Sequence, residues 1–327
     1  MRRREFIALV GASITWPFAA LAQEPGRTYR LGPLAPFPRD APFYIKGGPF
    51  FEELRANGFI EGKNLTVVYR DYGPHVDLIS QCAAELVDAQ VDVIVGGGGI
   101  ATRAAQQATK TIPIVGTADD MVAEGLVPSM ARPSGNTTGF SILATELDGK
   151  RQEILVEAVP KLRRMAALAD SSTLSEMKAR ALQDAAQARG IDLDILRIGK
   201  SEEIAAAIDK ARQSGATALN VLASPMLHAN HQLILQRVAT LRWPAMYQWP
   251  ELAEEGGFAA YGPRLGSGEF PERLARLIVK VFRGIKPADI PVEQPTKFDL
   301  VINLKTAKSI GVTVPEGLLA RADKVIE

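Results

Sequence analysis

Short Val/Ile/Leu-rich runs alternate along this chain with longer stretches in which apolar residues recur every three or four positions. The first pattern is that of strands buried on both faces, the second that of helices lying on a sheet. Strands are expected at Tyr29–Ala35, Leu65–Arg70, Val91–Val95, Ile112–Val115 and Thr138–Phe140, with helices at Phe43–Asn57, Pro74–Ala89 and Ile100–Thr109 and another starting near Met121. The alternation then restarts. Helices follow at Glu146–Val159, Leu174–Arg189, Glu202–Ser214 and His228–Arg242. Strands lie between and after them at Met165–Ala169, Asp192–Arg197, Ala218–Leu222, Ala245–Tyr247 and Phe258–Tyr261. A further amphipathic helix at Gly266–Phe282 leads through Pro287, Pro291 and Pro295 to a strand at Phe298–Leu304. This pattern predicts an α/β protein of two doubly wound, parallel-sheet lobes. The cleft between such lobes is the default place for a ligand.

The centre of the pattern is Val91–Val115, where a buried strand runs into four glycines, Gly96–Gly99, and then a helix. Free N–H groups and the helix dipole favour an anion there, and residues without Cβ let a ligand touch backbone. The run is neither a dinucleotide fingerprint nor a P-loop. It reads as a tight structural turn or as a seat for a carboxylate on the N–H groups of Gly98, Gly99 and Ile100.

Composition narrows the class. At 327 residues the length suits two domains, and 46% apolar with 23% charged residues is the balance of a globular protein. A net charge of +1 points to neither nucleic acid nor an anionic membrane surface. The single cysteine, Cys82, rules out a disulfide framework or a cysteine metal cluster and fits a buried helical position. The first 22 residues read as a cleaved signal peptide: Arg2-Arg3-Arg4, an apolar stretch from Phe6 to Ala20, and Ala20-Leu21-Ala22 before Gln23. Arg3-Arg4 fits a twin-arginine signal as well as a general secretory one. An exported, soluble protein is expected, and a monomer.

Candidate chemistry gathers at the carboxyl ends of the expected strands. Asp119-Asp120 follows Ile112–Val115 and is placed either to bind an amine or metal or to cap a helix, with Asp119 the better partner for an amine. Ser224, and likewise Ser171-Ser172, fits a hydrogen bond to a ligand as well as a helix cap. Tyr247, Trp249 and Tyr261 crowd the end of the second lobe, with Glu251 nearby, in a chain only 6% aromatic. His228 and His231 stand one turn apart without an acid to complete a metal site, and read as solvated helix-start residues. No GxSxG elbow is present, nor the full set of S-x-x-K with S-D-N and K-T-G. The chain is therefore expected to be no enzyme and to carry neither metal nor cofactor; an exported enzyme working through Asp119 or His228 is the alternative, and a ligand-sensing module the third reading.

Pro291–Glu327 (PVEQPTKFDLVINLKTAKSIGVTVPEGLLARADKVIE) resembles the C-terminal signature of bacterial ABC-transporter substrate-binding proteins of the tryptophan/tyrosine type. Matches continue at Gly58–Tyr69, Val91–Val115, Gly125–Gly139, Gly256-Gly257 and Tyr261-Gly262. Two places depart from that family's pattern: Ile100 stands where a threonine is usual, and Phe270–Arg276 replaces an Arg-Arg-Ala-Ala helix. The resemblance implies a type I-like periplasmic binding protein with three inter-lobe crossings, delivering a small molecule to a membrane ABC permease. Lobe 1 is then residues 23–141 with 263–293, and lobe 2 is residues 142–262 with 294–327. Ser141–Ala144, Gly262–Gly266 and Glu293–Thr296 form the hinge. The expected ligand is a small carboxylate, aromatic or amino-acid-like. Its carboxylate meets Gly98–Ile100 and Ser224, its ring Tyr247, Trp249 or Tyr261, and its amine Asp119 or Glu251.

Overall fold

The computed structural model describes residues 26–41, 43–73 and 75–327. The expected signal peptide lies outside the described residues. In chain order the first unit runs β1 (Tyr29–Ala35), α1 (Pro49–Ala56), β2 (Leu65–Val67), β3 (Arg70–Asp71), α2 (Ile79–Asp88), β4 (Val93–Gly96), α3 (Gly99–Ala108), β5 (Ile114–Ala118) and β6 (Thr137–Ser141). Its sheet is parallel throughout, in the order β2-β1-β4-β5-β6, with β3 beside the end of β1.

The second unit continues with α4 (Ala144–Ala158), β7 (Arg164–Asp170), α5 (Glu176–Gln187), β8 (Asp192–Ile198), α6 (Glu203–Gln213), β9 (Leu219–Val221), α7 (Pro225–Ala229), α8 (His231–Leu241), β10 (Ala245–Tyr247), α9 (Pro250–Glu254) and β11 (Ala259–Gly262). The chain then returns to the first sheet as α10 (Glu269–Phe282). It finishes in the second with β12 (Asp299–Asn303), α11 (Leu304–Ile310), α12 (Glu316–Leu319) and β13 (Lys324–Ile326). The second sheet has the order β13-β12-β11-β10-β9-β7-β8. Its one antiparallel pair is β11–β12, with Gly262 opposite Asp299. That exception to the parallel expectation follows from the route: the strand re-enters from the first unit instead of from a crossover helix on its own sheet.

Helix α10 buries Leu274, Leu277, Ile278 and Val281 in one core with Phe50, Leu54, Val93, Val115 and Phe140, so it belongs physically to the first sheet. The chain passes between sheets three times, after β6, after β11 and before β12. At the first crossing Phe140 bridges Glu293 in parallel, and the Ser141 N–H donates to the Glu293 carbonyl at 2.9 Å. Two crossings are thereby tied together.

Local chemistry shifts several boundaries. Helix α1 starts at Pro49 and not Phe43, because Gly47 turns the chain at φ +82° and Pro49 suits a first helical turn. Turns replace the helix expected from Met121, with Gly125 at φ +66°. The long helix expected at His228–Arg242 divides at Asn230 into α7 and α8. Gly139 has no substitute: its φ is +154°, and a Cβ there would lie 1.8 Å from the Gly116 carbonyl on β5.

Candidate functional site

A cavity of about 420 Å³ lies between the two sheets, at the carboxyl ends of β1, β4 and β5 on one side and of β7, β9 and β10 on the other. This is the edge at which open α/β sheets take ligands. Among its lining residues are the glycine turn, Asp119 and Glu124, the Ser172–Ser175 turn, and an aromatic wall of Phe37, Phe43, Tyr44, Trp249 and Phe270. The wall is drawn from both sides. Trp249, beyond β10, stacks on Phe270 of α10 at 6.3 Å, and Phe37, beyond β1, meets His228 of α7 at 5.9 Å.

The glycine turn is built by hydrogen bonds. Gly97 N–H donates to the Leu34 carbonyl at 2.8 Å, and Gly98 N–H to the Thr117 hydroxyl at 2.9 Å. The Thr102 hydroxyl returns a bond to the Gly98 carbonyl at 2.9 Å. Gly98 takes φ +109°, which favours glycine, and a Cβ there would meet Pro225 of the second unit at 2.6 Å. A Cβ on Gly99 would fall 1.8 Å from Glu124 Oε2. The chain's own Glu124 carboxylate therefore stands against the start of α3, where the expectation set a ligand carboxylate. A second carboxylate at that point would meet like charge. Glu124 is fixed there because its Oε1 accepts from the Asp119 and Asp120 N–H groups at 3.0 and 3.3 Å. Burial raises its pKa above the usual carboxylate range.

Asp119 faces the same space, and its acidic companion in the cavity is Glu124 and not Asp120, which caps the Val122 and Ala123 N–H groups. Asp119 Oδ2 lies 3.4 Å from Lys178 Nζ, reaching from α5 across the cleft. Lys178 also contacts Asp148 at 2.9 Å, and Arg151 Nη1 contacts the other Asp148 oxygen at 2.8 Å. Arg151 Nε donates to the Tyr261 carbonyl at 2.7 Å, so a buried chain of charge runs from the first unit to the end of β11. Burial works to lower the Lys178 pKa, yet Asp148 and Asp119 outweigh it and hold it above its ordinary value. Burial pushes Asp119 up from 3.8 to about 7, against the pull of Lys178.

That shift has a sign. Between those two values the folded chain keeps a proton that the unfolded chain has lost, so stability from this group is present at low pH and falls as pH rises toward 7. Ligand-free wild type is expected to lose about 2 kcal/mol more than Asp119→Asn between about pH 5 and pH 8, the full linkage being discounted for residual exposure and for Lys178. Urea unfolding at both pH values reads this directly. Parallel pH profiles for the two proteins would mean that Asp119 is solvated and the cleft open.

Other expected site residues are placed differently. The Ser224 hydroxyl caps α7, accepting from Met226 and Leu227 N–H, and donates to Asp170 at 2.7 Å, so its bonding capacity is spent although it lines the cavity. Ser171 is exposed and outside the lining, where Ser172, Thr173 and Ser175 stand instead. Tyr247 sits in the core of the second sheet, because β10 alternates and its ring packs toward Gly257. Tyr261 rests against Phe298 behind the cleft. Glu251 turns to the crossing and accepts from Gly266 N–H at 3.0 Å; burial raises its pKa. His228 is not a solvated helix-start residue: burial pushes its pKa down to about 3, leaving it neutral. Among the described residues no group of three or more His, Cys, Asp or Glu side chains fits a metal ion.

Two mainly parallel α/β units with a cavity at the strand ends between them form the type I-like fold of periplasmic binding proteins. The sequence profile of the family described as "ABC transporter substrate binding protein" matches residues 38–326, and the chain belongs to that family. It is thus a binder of ligands rather than an enzyme. It is similar to a protein of Clostridioides difficile (strain R20291) named a tyrosine-binding protein, 27% identical over 80% of this chain and 75% of that one. Two solved structures share the fold. A conserved domain protein of Vibrio cholerae is 24% identical at a TM-score of 0.81, covering 91% of this chain and 99% of its own. A Streptococcus pneumoniae ABC domain in complex with L-Trp is 22% identical at a TM-score of 0.78, covering 91% and 100%. No helix among the described residues is long and apolar enough to cross a membrane.

Proposed function

We propose that this protein is the exported solute-binding component of an ABC importer, and that its cleft captures an aromatic amino acid. The observation that carries this is one cavity in which an aromatic wall from both units meets the paired acids Asp119 and Glu124. The ring would lie among Phe37, Tyr44, Trp249 and Phe270. The ammonium group would rest on Asp119 and Glu124, restoring the charge that burial opposes in both. The carboxylate would turn to Arg103 and the Ser175 hydroxyl, neighbours of those acids along the lining. The tyrosine named for the Clostridioides relative and the L-Trp in the Streptococcus complex support this class of ligand. Residues 23–141 with 263–293 would close on residues 142–262 with 294–327 as hinged lobes, and a membrane permease would receive the cargo.

A thermal-shift screen of aromatic, branched and acidic amino acids tests the reading. A ligand at about 100 times its Kd is expected to add about 2.7 kcal/mol of stability. Stabilisation by an aromatic amino acid that is recovered unaltered supports it. Stabilisation confined to branched or acidic amino acids overturns the aromatic assignment, and consumption of the ligand overturns the binding role.

A further inference from the structure

Behind the Trp249 face of the main cavity lies a second, much smaller void of about 10 Å³. Its lining includes His228, Tyr247, Gln248 and Trp249, of which His228, Gln248 and Trp249 also line the main cavity. The void thus begins at the seam between the His228 and Trp249 rings, whose centroids are 6.1 Å apart and nearly perpendicular. Everything else around it is aliphatic apart from His231: Val221, Leu222, Leu227, Ile234 and Leu252.

Three polar atoms on these side chains are buried and without a hydrogen-bond partner: His228 Nδ1, Tyr247 Oη and Trp249 Nε1. Tyr247 is 1% and Trp249 6% exposed. Leaving one such group unpaired costs stability, and three on residues that line one void is far from the ordinary satisfaction of buried polar groups. His231 does not satisfy the set. Its Nδ1 is 2.7 Å from the His228 carbonyl and its Nε2 3.1 Å from Glu255. The chemistry left open is specific. Trp249 offers a donor, Tyr247 a donor or acceptor, and neutral His228 an acceptor or donor according to its tautomer. A volume of this size holds about one oxygen atom.

Building on the aromatic amino-acid reading, we propose that this void is a polar subsite that receives a single hydrogen-bonding atom on the far end of the ligand's ring. The ligand class is then a phenolic amino acid, and a plain phenyl ring leaves the three groups unpaired. A site built to bond a hydroxyl rejects the analogue lacking it far more strongly than an apolar pocket rejects a size change.

Isothermal titration of the purified protein with tyrosine and phenylalanine tests this, in wild type and in Tyr247→Phe and Trp249→Phe. Wild type is expected to bind tyrosine at least about tenfold more tightly than phenylalanine. Either substitution is expected to shrink that ratio to about threefold or less, the loss falling on tyrosine. Equal wild-type affinities would overturn the subsite, marking it as a water site, and leave the aromatic reading standing. A preference for tyrosine that survives both substitutions would overturn the assignment to these residues. Failure of both amino acids to bind would overturn the subsite together with the reading beneath it.

Discussion

Alanine at Asp148 is expected to cost about 3–5 kcal/mol of folding free energy, the range for breaking a buried ion pair from one side. Asp148 is fully buried and holds two buried cations, Arg151 at 2.8 Å and Lys178 at 2.9 Å. The Ala223 N–H also points to Asp148 Oδ1, at 3.3 Å. Removing the carboxylate strands Arg151 where water cannot reach it and leaves Lys178 with Asp119 alone, at 3.4 Å. Arg151 cannot escape by deprotonating, and it is also the pin that holds the Tyr261 carbonyl at 2.7 Å, one residue before the crossing at Gly262. Equilibrium urea denaturation of wild type and Asp148→Ala measures the loss. The triple variant Asp148→Leu/Arg151→Met/Lys178→Met is expected to recover part of it: no cation is left stranded, but the Ala223 N–H, the Tyr261 carbonyl and Asp119 lose their partners. A single-variant loss below about 1 kcal/mol would show that the cluster is hydrated and not a dry link between the units.

Asp148 also shows where sequence reading stops. The strands and helices were legible because a sheet buried on both faces writes continuous apolar runs, and Val93–Gly96 and Ile114–Ala118 sit within three residues of the stretches expected for them. The cleft-edge position of the glycines, Asp119 and Trp249 followed from the rule that ligands collect at strand ends. What the pattern lacked was side-chain direction. Tyr247 and Trp249 are two residues apart, yet β10 ends at Tyr247, so Tyr247 points into the core while Trp249, already off the strand, turns to the cavity. Phe37 lay in a loop without periodicity and Phe43 and Tyr44 in a stretch that reads as helix, and the turns between β1 and α1 bring all three to the wall. Glu124 hid inside a stretch that reads as helix. Only the Gly125 turn folds its carboxylate back onto Gly99. Lys178 carried no signal in the pattern of α5, and the structure buries it between Asp148 and Asp119.

Trp249→Ala is expected to weaken binding of an aromatic amino acid by about 2–4 kcal/mol, a loss of roughly thirtyfold to a thousandfold in Kd. Trp249 is 6% exposed, stacks on Phe270 at 6.3 Å and stands 6.1 Å from His228, so it joins the second unit and α10 at the cavity wall. Truncation removes ring contact with the ligand and also the contact that draws α10 toward β10, and closure itself becomes harder. Phenylalanine as titrant separates these effects from the polar subsite, because it makes no demand on the indole N–H. With that titrant Trp249→Phe is expected to stay within about fivefold of wild type, since a smaller ring still stacks on Phe270. Small-angle scattering on the saturated proteins supplies the second readout: the alanine variant should keep a larger radius of gyration than wild type at full occupancy. An alanine variant that binds within about threefold of wild type would make Trp249 part of the packing between the units and not of the ligand wall.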